Sequence, residues 1–155
     1  MFGPPVEIEM SIKIDAPPSQ VWGYLVDWEH LDRWMREAKR FRLTSKMDQG
    51  VGVTAEATIC IAGFTTTDLV QVTRWRPPEE LEIQHLGWVS GQGLMLCMPA
   101  PWGTFLYWKE TLEPPLGIAG AAGLRLLRPL MFRIFQGDLR LLKDLVESTA
   151  RASVQ

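Results

Sequence analysis

The sequence predicts an α+β fold in which a curved antiparallel sheet of seven strands wraps around one long C-terminal helix, with two short helices inserted after the first strand. Three observations carry that reading. Leu116 to roughly Ala150 is the only segment long and apolar enough for a major helix, and it repeats Leu124, Leu127, Met131, Ile134, Phe135, Leu142 and Leu145 at the spacing of one helical stripe. Six short strand-like runs precede it, joined by connections that only antiparallel neighbours can make. An alternating strand stands alone at the N-terminus, and proline-led helical segments follow it. A sheet of that extent does not stay flat and curls around the helix.

From Val6 to Asp15, Ile8, Met10, Ile12 and Ile14 alternate with Glu7, Glu9, Ser11, Lys13 and Asp15, the period of a strand with one buried face. Ala16-Pro17-Pro18 ends it, because proline cannot continue a ladder yet suits the first turn of a helix. A short helix carries Val21, Trp22 and Leu25; Asp27 and Glu29 break it; Leu31, Trp34 and Met35 indicate a second. The later strands are Phe41 with Leu43, then Val51 to Ile61, Phe64 to Trp75, Leu81 to Trp88, Leu94 to Met98 and Thr104 to Leu112. Turn signals lie between them at Asp48-Gln49-Gly50, Ala62-Gly63, Pro77-Pro78, Gly91-Gln92-Gly93 and Pro99-Ala100-Pro101. Val51, Val53, Ala55, Ala57, Ile59 and Ile61 form one apolar face, which fixes the inward side of that strand. In the next strand two alternating sets compete, which predicts a bulge and leaves the face unassigned. In the last helix, Pro129 lacks a donor and predicts a kink or break, with Gly137 as a second weak point. Gly117, Gly120 and Gly123 leave its first turns thin, as a close packing surface or a mobile gate.

A chain of 155 residues is read as one domain, residues 1–155, able to bury about two thirds of its unfolded surface without metal or crosslink. The formal charge of −2 gives no electrostatic reason to expect nucleic acid. The charge is nevertheless divided: residues up to Glu113 hold 10 basic and 15 acidic side chains, a net of −5, and those from Pro114 hold 6 and 3, a net of +3. The basic end, with Arg125, Arg128, Arg133, Arg140 and Lys143, is either a solvated helix face or an amphipathic surface for transient contact with anionic lipid. Cys60 and Cys97 lack metal or disulfide spacing and are read as buried free thiols. Met1 to Glu9 has no leader pattern and no apolar run reaches membrane-spanning length, so the expected location is cytoplasmic. The sequence contains no asparagine, which excludes N-linked glycosylation.

The run Ile14-Asp15-Ala16-Pro17, then Val21-Trp22, Leu25, Asp27 and Trp34, then Gly50-Val51-Gly52, then Trp75-Arg76-Pro77-Pro78-Glu79-Glu80-Leu81, resembles the START-like superfamily, also called SRPBCC or Bet v 1-like. Glu113-Pro114-Pro115-Leu116-Gly117 before a helix holding Arg128-Pro129 and Phe135 is similar to the same group. The likeness is strongest to polyketide cyclase/dehydrase and lipid-transport-type proteins and spans residues 6 to 150. It implies a helix-grip fold with a cavity between sheet and helix, used by members to bind lipids, sterols, polyketides or plant hormones, and by a minority to cyclise or dehydrate.

His85 falls in phase with the apolar Leu81 and Ile83, where an imidazole can act as acid or base near neutral pH or simply close the core edge. Glu110 is bracketed at period two by Leu106, Trp108 and Leu112; if they face inward so does it, and a carboxylate there must pair or stay neutral. The two are the candidate acid/base pair. No metal-ligand, phosphate-loop, nucleophile-elbow or dinucleotide pattern is present, so no metal or cofactor is expected, and His30 is placed on an exposed break. Seven tryptophans exceed what such a core needs. Trp22 and Trp75 read as core, while Trp34, Trp88 and Trp108, with Leu94, Leu96, Met98 and Leu106 from the strands, read as walls of a ligand cavity. Leu127, Met131 and Phe135 supply its far wall from the helix, and Trp102 sits at a hairpin tip as a mouth or membrane-contact residue. The expected partner is a hydrophobic small molecule, either carried or sensed, or converted by an aromatase/cyclase or dehydratase reaction.

Overall fold

The computed structural model describes residues 2–154, so Met1 and Gln155, the ends of the expected domain, lie outside the described residues. The elements are β1 (Val6–Ile14), α1 (Pro18–Leu25), a 3-10 helix (Trp28–Arg33), β2 (Ala38–Leu43), β3 (Thr54–Ile61), β4 (Phe64–Arg76), β5 (Glu80–Leu86), β6 (Ser90–Ala100), β7 (Gly103–Glu113) and α2 (Gly117–Val154). All seven strands join one antiparallel sheet in the order β1-β7-β6-β5-β4-β3-β2. This is the helix-grip architecture, with β1 returning beside β7 and the meander running out to β2.

Local chemistry explains each boundary. Pro17 caps α1 from an extended conformation and Pro18 opens it, where a missing N–H costs nothing. Ala62 and Gly63 both take positive φ, 52° and 82°, in the tight β3–β4 turn. The bulge expected in β4 is present as a register shift between Val72 and Arg74. It puts Val70 and Val72 on the same side as Trp75, which pairs with Leu81. Val51 and Val53 lie before β3, Val51 exposed and Val53 buried, and the inward face of the strand itself begins at Ala55.

Two expectations are corrected. Gly91-Gln92-Gly93 is not a turn; it lies within β6, and the chain reverses instead at residues 87–89. These glycines serve close approach: Gly91 stands against the Thr111 backbone and Gly93 against the Glu110 side chain. Pro129 does not break the helix, which is continuous from Gly117 to Val154. Arg125, whose carbonyl loses its amide partner, and Pro129 are both solvent-exposed, so water can take that bond.

α2 lies along the open edge of β1. Gln136 Nε2 donates to the Ser11 carbonyl at 3.0 Å, Lys143 Nζ donates to the Lys13 carbonyl at 2.9 Å, and Glu147 Oε1 accepts from the Asp15 N–H at 2.9 Å. These side chains satisfy backbone groups that an edge strand otherwise leaves bare. The buried stripe of the helix is Ala121, Met131, Phe135, Asp138, Leu139, Leu142 and Val146. Between Ala121 and Met131 nothing on it is buried. The concave face beyond the helix is filled by ring contacts, Trp22 edge-on to Trp75 at 5.2 Å and Trp28 stacked on Phe41 at 5.9 Å. Leu142 is fully buried in this core, so Leu142→Ala is expected to destabilise the fold by about 2–5 kcal/mol. A urea titration reads this as a lower midpoint at unchanged slope.

Candidate functional site

Between the sheet, α1, the 3-10 helix and β2 lies a cavity of about 120 Å³. Its walls are apolar: Leu25, Trp28 and Leu31 from the helices, Ala57 and Ile59 from β3, Val70, Ile83 and Met95 from the central strands, and Trp34 and Trp108. Three titratable groups break this lining, Asp68 from β4, His85 from β5 and Glu110 from β7. The cavity therefore has one polar wall.

That wall is built by register. Gly93 lies opposite Glu110, and His85 lies opposite Gly91 one strand further over. Without side chains on these two β6 residues, Glu110 and His85 can reach each other across the strand between them. A Cβ on Gly93 would stand 2.6 Å from Glu110 Oε1. His85 Nε2 meets Glu110 Oε2 at 3.0 Å, and Trp108 Nε1 donates to Glu110 Oε1 at 2.8 Å. Burial pulls the His85 imidazole down, but the Glu110 charge and hydrogen bond, with Asp68 adding, outweigh it and leave its pKa raised. Each carboxylate oxygen keeps a free lone pair and His85 keeps Nδ1, so the pair can accept from one ligand group and bond a second. Asp68 sits at the rim, where its Oδ1 accepts from the Trp88 N–H at 3.2 Å.

The residues expected to line a cavity divide. Trp34, His85, Trp108 and Glu110 line it. Leu94, Leu96 and Met98 point to the opposite face of the sheet: their cross-strand partners Lys109, Tyr107 and Phe105 alternate with the inward Trp108 and Leu106. The inward residues of β6 are Gly93, Met95 and Cys97, the last a buried thiol pushed up to about 12 by desolvation. Trp88 is 64% exposed in the β5–β6 turn, and Leu127 is 40% exposed on the part of α2 that does not dock. Leu106, Met131 and Phe135 belong to the core beyond the cavity, Phe135 packing behind Trp108 at 5.0 Å. Trp102 lies at the other end of the sheet, under Lys13 at 5.4 Å, and not at a mouth. His30 is exposed and bonds Asp27 at 2.9 Å. Cys60 is free but only half-buried.

Sequence reasoning missed Asp68, because the β4 bulge hid that strand's phase, and it missed a second acidic pair. Glu37, before β2, and Asp138, on α2, are both buried. Asp138 Oδ1 accepts from the Arg36 N–H at 3.1 Å, while Glu37 Oε2 and Asp138 Oδ2 have no hydrogen-bond partner among the described residues. A hydrogen bond between two carboxyl groups requires a proton on one of them. Burial first, then the Asp138 hydrogen bond and charge, raise Glu37 to about 9; burial also raises Asp138, opposed by its bonds from Glu37 and Arg36. The available signal was Asp138 itself, a carboxyl on the same helical stripe as Phe135, Leu139 and Leu142.

A concave antiparallel sheet, a gripped helix and a partly open cavity with one polar wall define the helix-grip class of fold. The profile of the family described as "Polyketide cyclase / dehydrase and lipid transport" matches residues 5–147, and the chain belongs to that family. Among solved structures it is similar to TTHA0849 from Thermus thermophilus, at 19% identity and a TM-score of 0.79, over 93% of this chain and 99% of that one. It is similar to the Zhui aromatase/cyclase from Streptomyces sp. R1128, at 15% identity and a TM-score of 0.81, over 96% and 98%. It also matches the di-domain aromatase/cyclase StfQ of steffimycin biosynthesis, at 14% identity and a TM-score of 0.76, over 94% of this chain and 52% of that one. No functionally curated protein matches the sequence. Among the described residues no helix is long and apolar enough to cross a membrane, and no cluster of three or more metal-ligating side chains occurs.

Because the folded pKa of Glu37 is raised, its contribution to stability is full below the ordinary carboxylate range and is lost as pH rises towards about 9. Glu37→Gln, which keeps a donor for Asp138, is expected to flatten the decline of melting temperature from about pH 5 to about pH 9. An unchanged slope in thermal melts would exclude a shared proton.

Proposed function

We propose that this protein binds a compact hydrophobic small molecule carrying at least one hydroxyl or carbonyl group, in the cavity between the sheet and the helices. The observation that carries the reading is the His85–Glu110–Trp108 set on the wall of an otherwise apolar cavity. Burying a charged pair is costly unless its remaining bonding capacity is used, and a ligand hydroxyl uses it. Size favours a ring over a chain: 120 Å³ is close to the about 150 Å³ of an apolar cavity that takes up benzene. The family match supports a small-molecule ligand, and an aromatic or polyketide-derived ring satisfies both volume and polarity.

A second reading is catalytic, an aromatase/cyclase or dehydratase, favoured by the direct His85–Glu110 contact and by likeness to two structures described as aromatase/cyclases. His85, held by Glu110 through Nε2, would use Nδ1 to take a proton beside a carbonyl and return it to the departing hydroxyl as water forms. Binding and turnover separate by experiment. With a panel of phenols and hydroxy-ketones, Glu110→Gln is expected to weaken binding, read by tryptophan fluorescence, by about 1–3 kcal/mol. Equal affinity would remove Glu110 from the site. Loss of a hydroxyl as water, abolished in His85→Ala, would establish the catalytic reading, and binding without turnover would establish the carrier.

A further inference from the structure

We propose that the end of the molecule formed by the first half of α2 and the neighbouring hairpins is a docking surface for an anionic lipid bilayer. From Ala122 to Leu130 no residue of α2 is buried, although the segment is mostly apolar. Leu126 is 83% exposed and Ile118 80%, and Leu116, Leu127, Leu130 and Phe132 are exposed beside them. A helix at the surface of a globular domain does not usually leave so many large apolar side chains uncovered. Arg125, Arg128 and Arg133 alternate with them, all exposed, and among the described residues none of the three pairs with an acid. No acidic residue occurs from Pro114 to Gly137.

Ser90 pairs with Glu113, so the β5–β6 hairpin lies at the same end of the sheet as the start of α2. That hairpin exposes Trp88, and the β3–β4 hairpin at the same end exposes Phe64. The charge identifies the occupant. Apolar side chains interleaved with single-sign arginines, and a tryptophan nearby, match acyl chains beneath phosphate headgroups, and an amphipathic helix settles about 5–10 Å into that boundary. A protein partner would have to supply acids at every arginine. No described helix can span a bilayer, so the contact is peripheral. Because Asp68 of β4, His85 of β5 and Val89 of the β5–β6 turn line the cavity towards this end of the sheet, docking would bring its polar wall towards the interface.

The test is co-sedimentation of the full chain with vesicles of phosphatidylcholine mixed with phosphatidylglycerol, against phosphatidylcholine alone. The anionic vesicles are expected to bind the protein, with partitioning that falls as salt rises. Each neutralised arginine should lower it about fivefold, so Arg125→Gln with Arg128→Gln should lower it by more than about tenfold. Leu126→Glu should act in the same direction, and Ile118→Ser independently; all these side chains are exposed, so melting temperatures should hold and certify folding. Equal binding to both vesicle types, no binding, or unaffected variants would overturn the proposal. So would self-association that Leu126→Glu abolishes, which would assign the surface to a second copy. Glu110→Gln should bind vesicles like the parent, so failure here and failure of the cavity reading are distinguishable.

Discussion

The geometry follows from how one edge of the sheet is covered. Seven antiparallel strands leave two edges with bare backbone groups. The β2 edge is guarded by charge, with Lys39, Arg40 and Arg42 exposed along it. The β1 edge is covered by α2, whose Gln136, Lys143 and Glu147 bond its backbone. A helix held along an edge cannot also fill the middle of the concave face. Phe135, Leu139, Leu142 and Val146 pack the near side, while the far side is roofed by α1, the 3-10 helix and their tryptophans. The cavity is the space those rings leave.

Within this apolar interior the carboxyl groups are accommodated in three ways. Glu110 takes a cationic or hydrogen-bonding partner in His85 and a donor in Trp108. Glu37 is held towards its neutral form by burial beside Asp138. Asp68 remains at the rim on a backbone N–H. An unpaired charge in either of the two buried places would cost several kcal/mol, so those arrangements are conditions of folding as much as features of a site. Trp34 stands edge-on to Trp108 at 6.3 Å, and it lies only three positions before Glu37 in the chain. The packing thus connects the polar wall of the cavity to the pair that ties α2 to the start of β2.

Periodicity exposed the fold readily, because strand and helix spacing depend on burial alone. It placed His85 and Glu110 on the inward face for the same reason. It failed where one residue has two physical roles. Gly91 and Gly93 look like a turn because glycine permits positive φ, yet they serve close approach inside β6. Reading a turn there also detached Leu94, Leu96 and Met98 from the phase of their strand, and a shift of one residue exchanges the faces. The apolar stripe of α2 predicted burial for Leu127, but a stripe reports amphipathicity and not what covers it. Glu37 was illegible, since its partner is a hundred residues away.

Structural similarity at 14–19% identity establishes the fold, and the fold admits carriers and enzymes alike. What distinguishes this chain lies in α2. The edge bonds begin at Gln136, the continuous buried stripe begins at Met131, and Pro129 removes a helical hydrogen bond just before both. The helix is therefore anchored after Pro129 and more weakly held before it, through Leu124 against the core and the close contact of Ala121 and Gly117 with Gly3. Few buried contacts mean a low free energy of local opening. The core-packing surface and the exposed apolar surface therefore occupy different halves of the same helix, divided where proline removes a hydrogen bond.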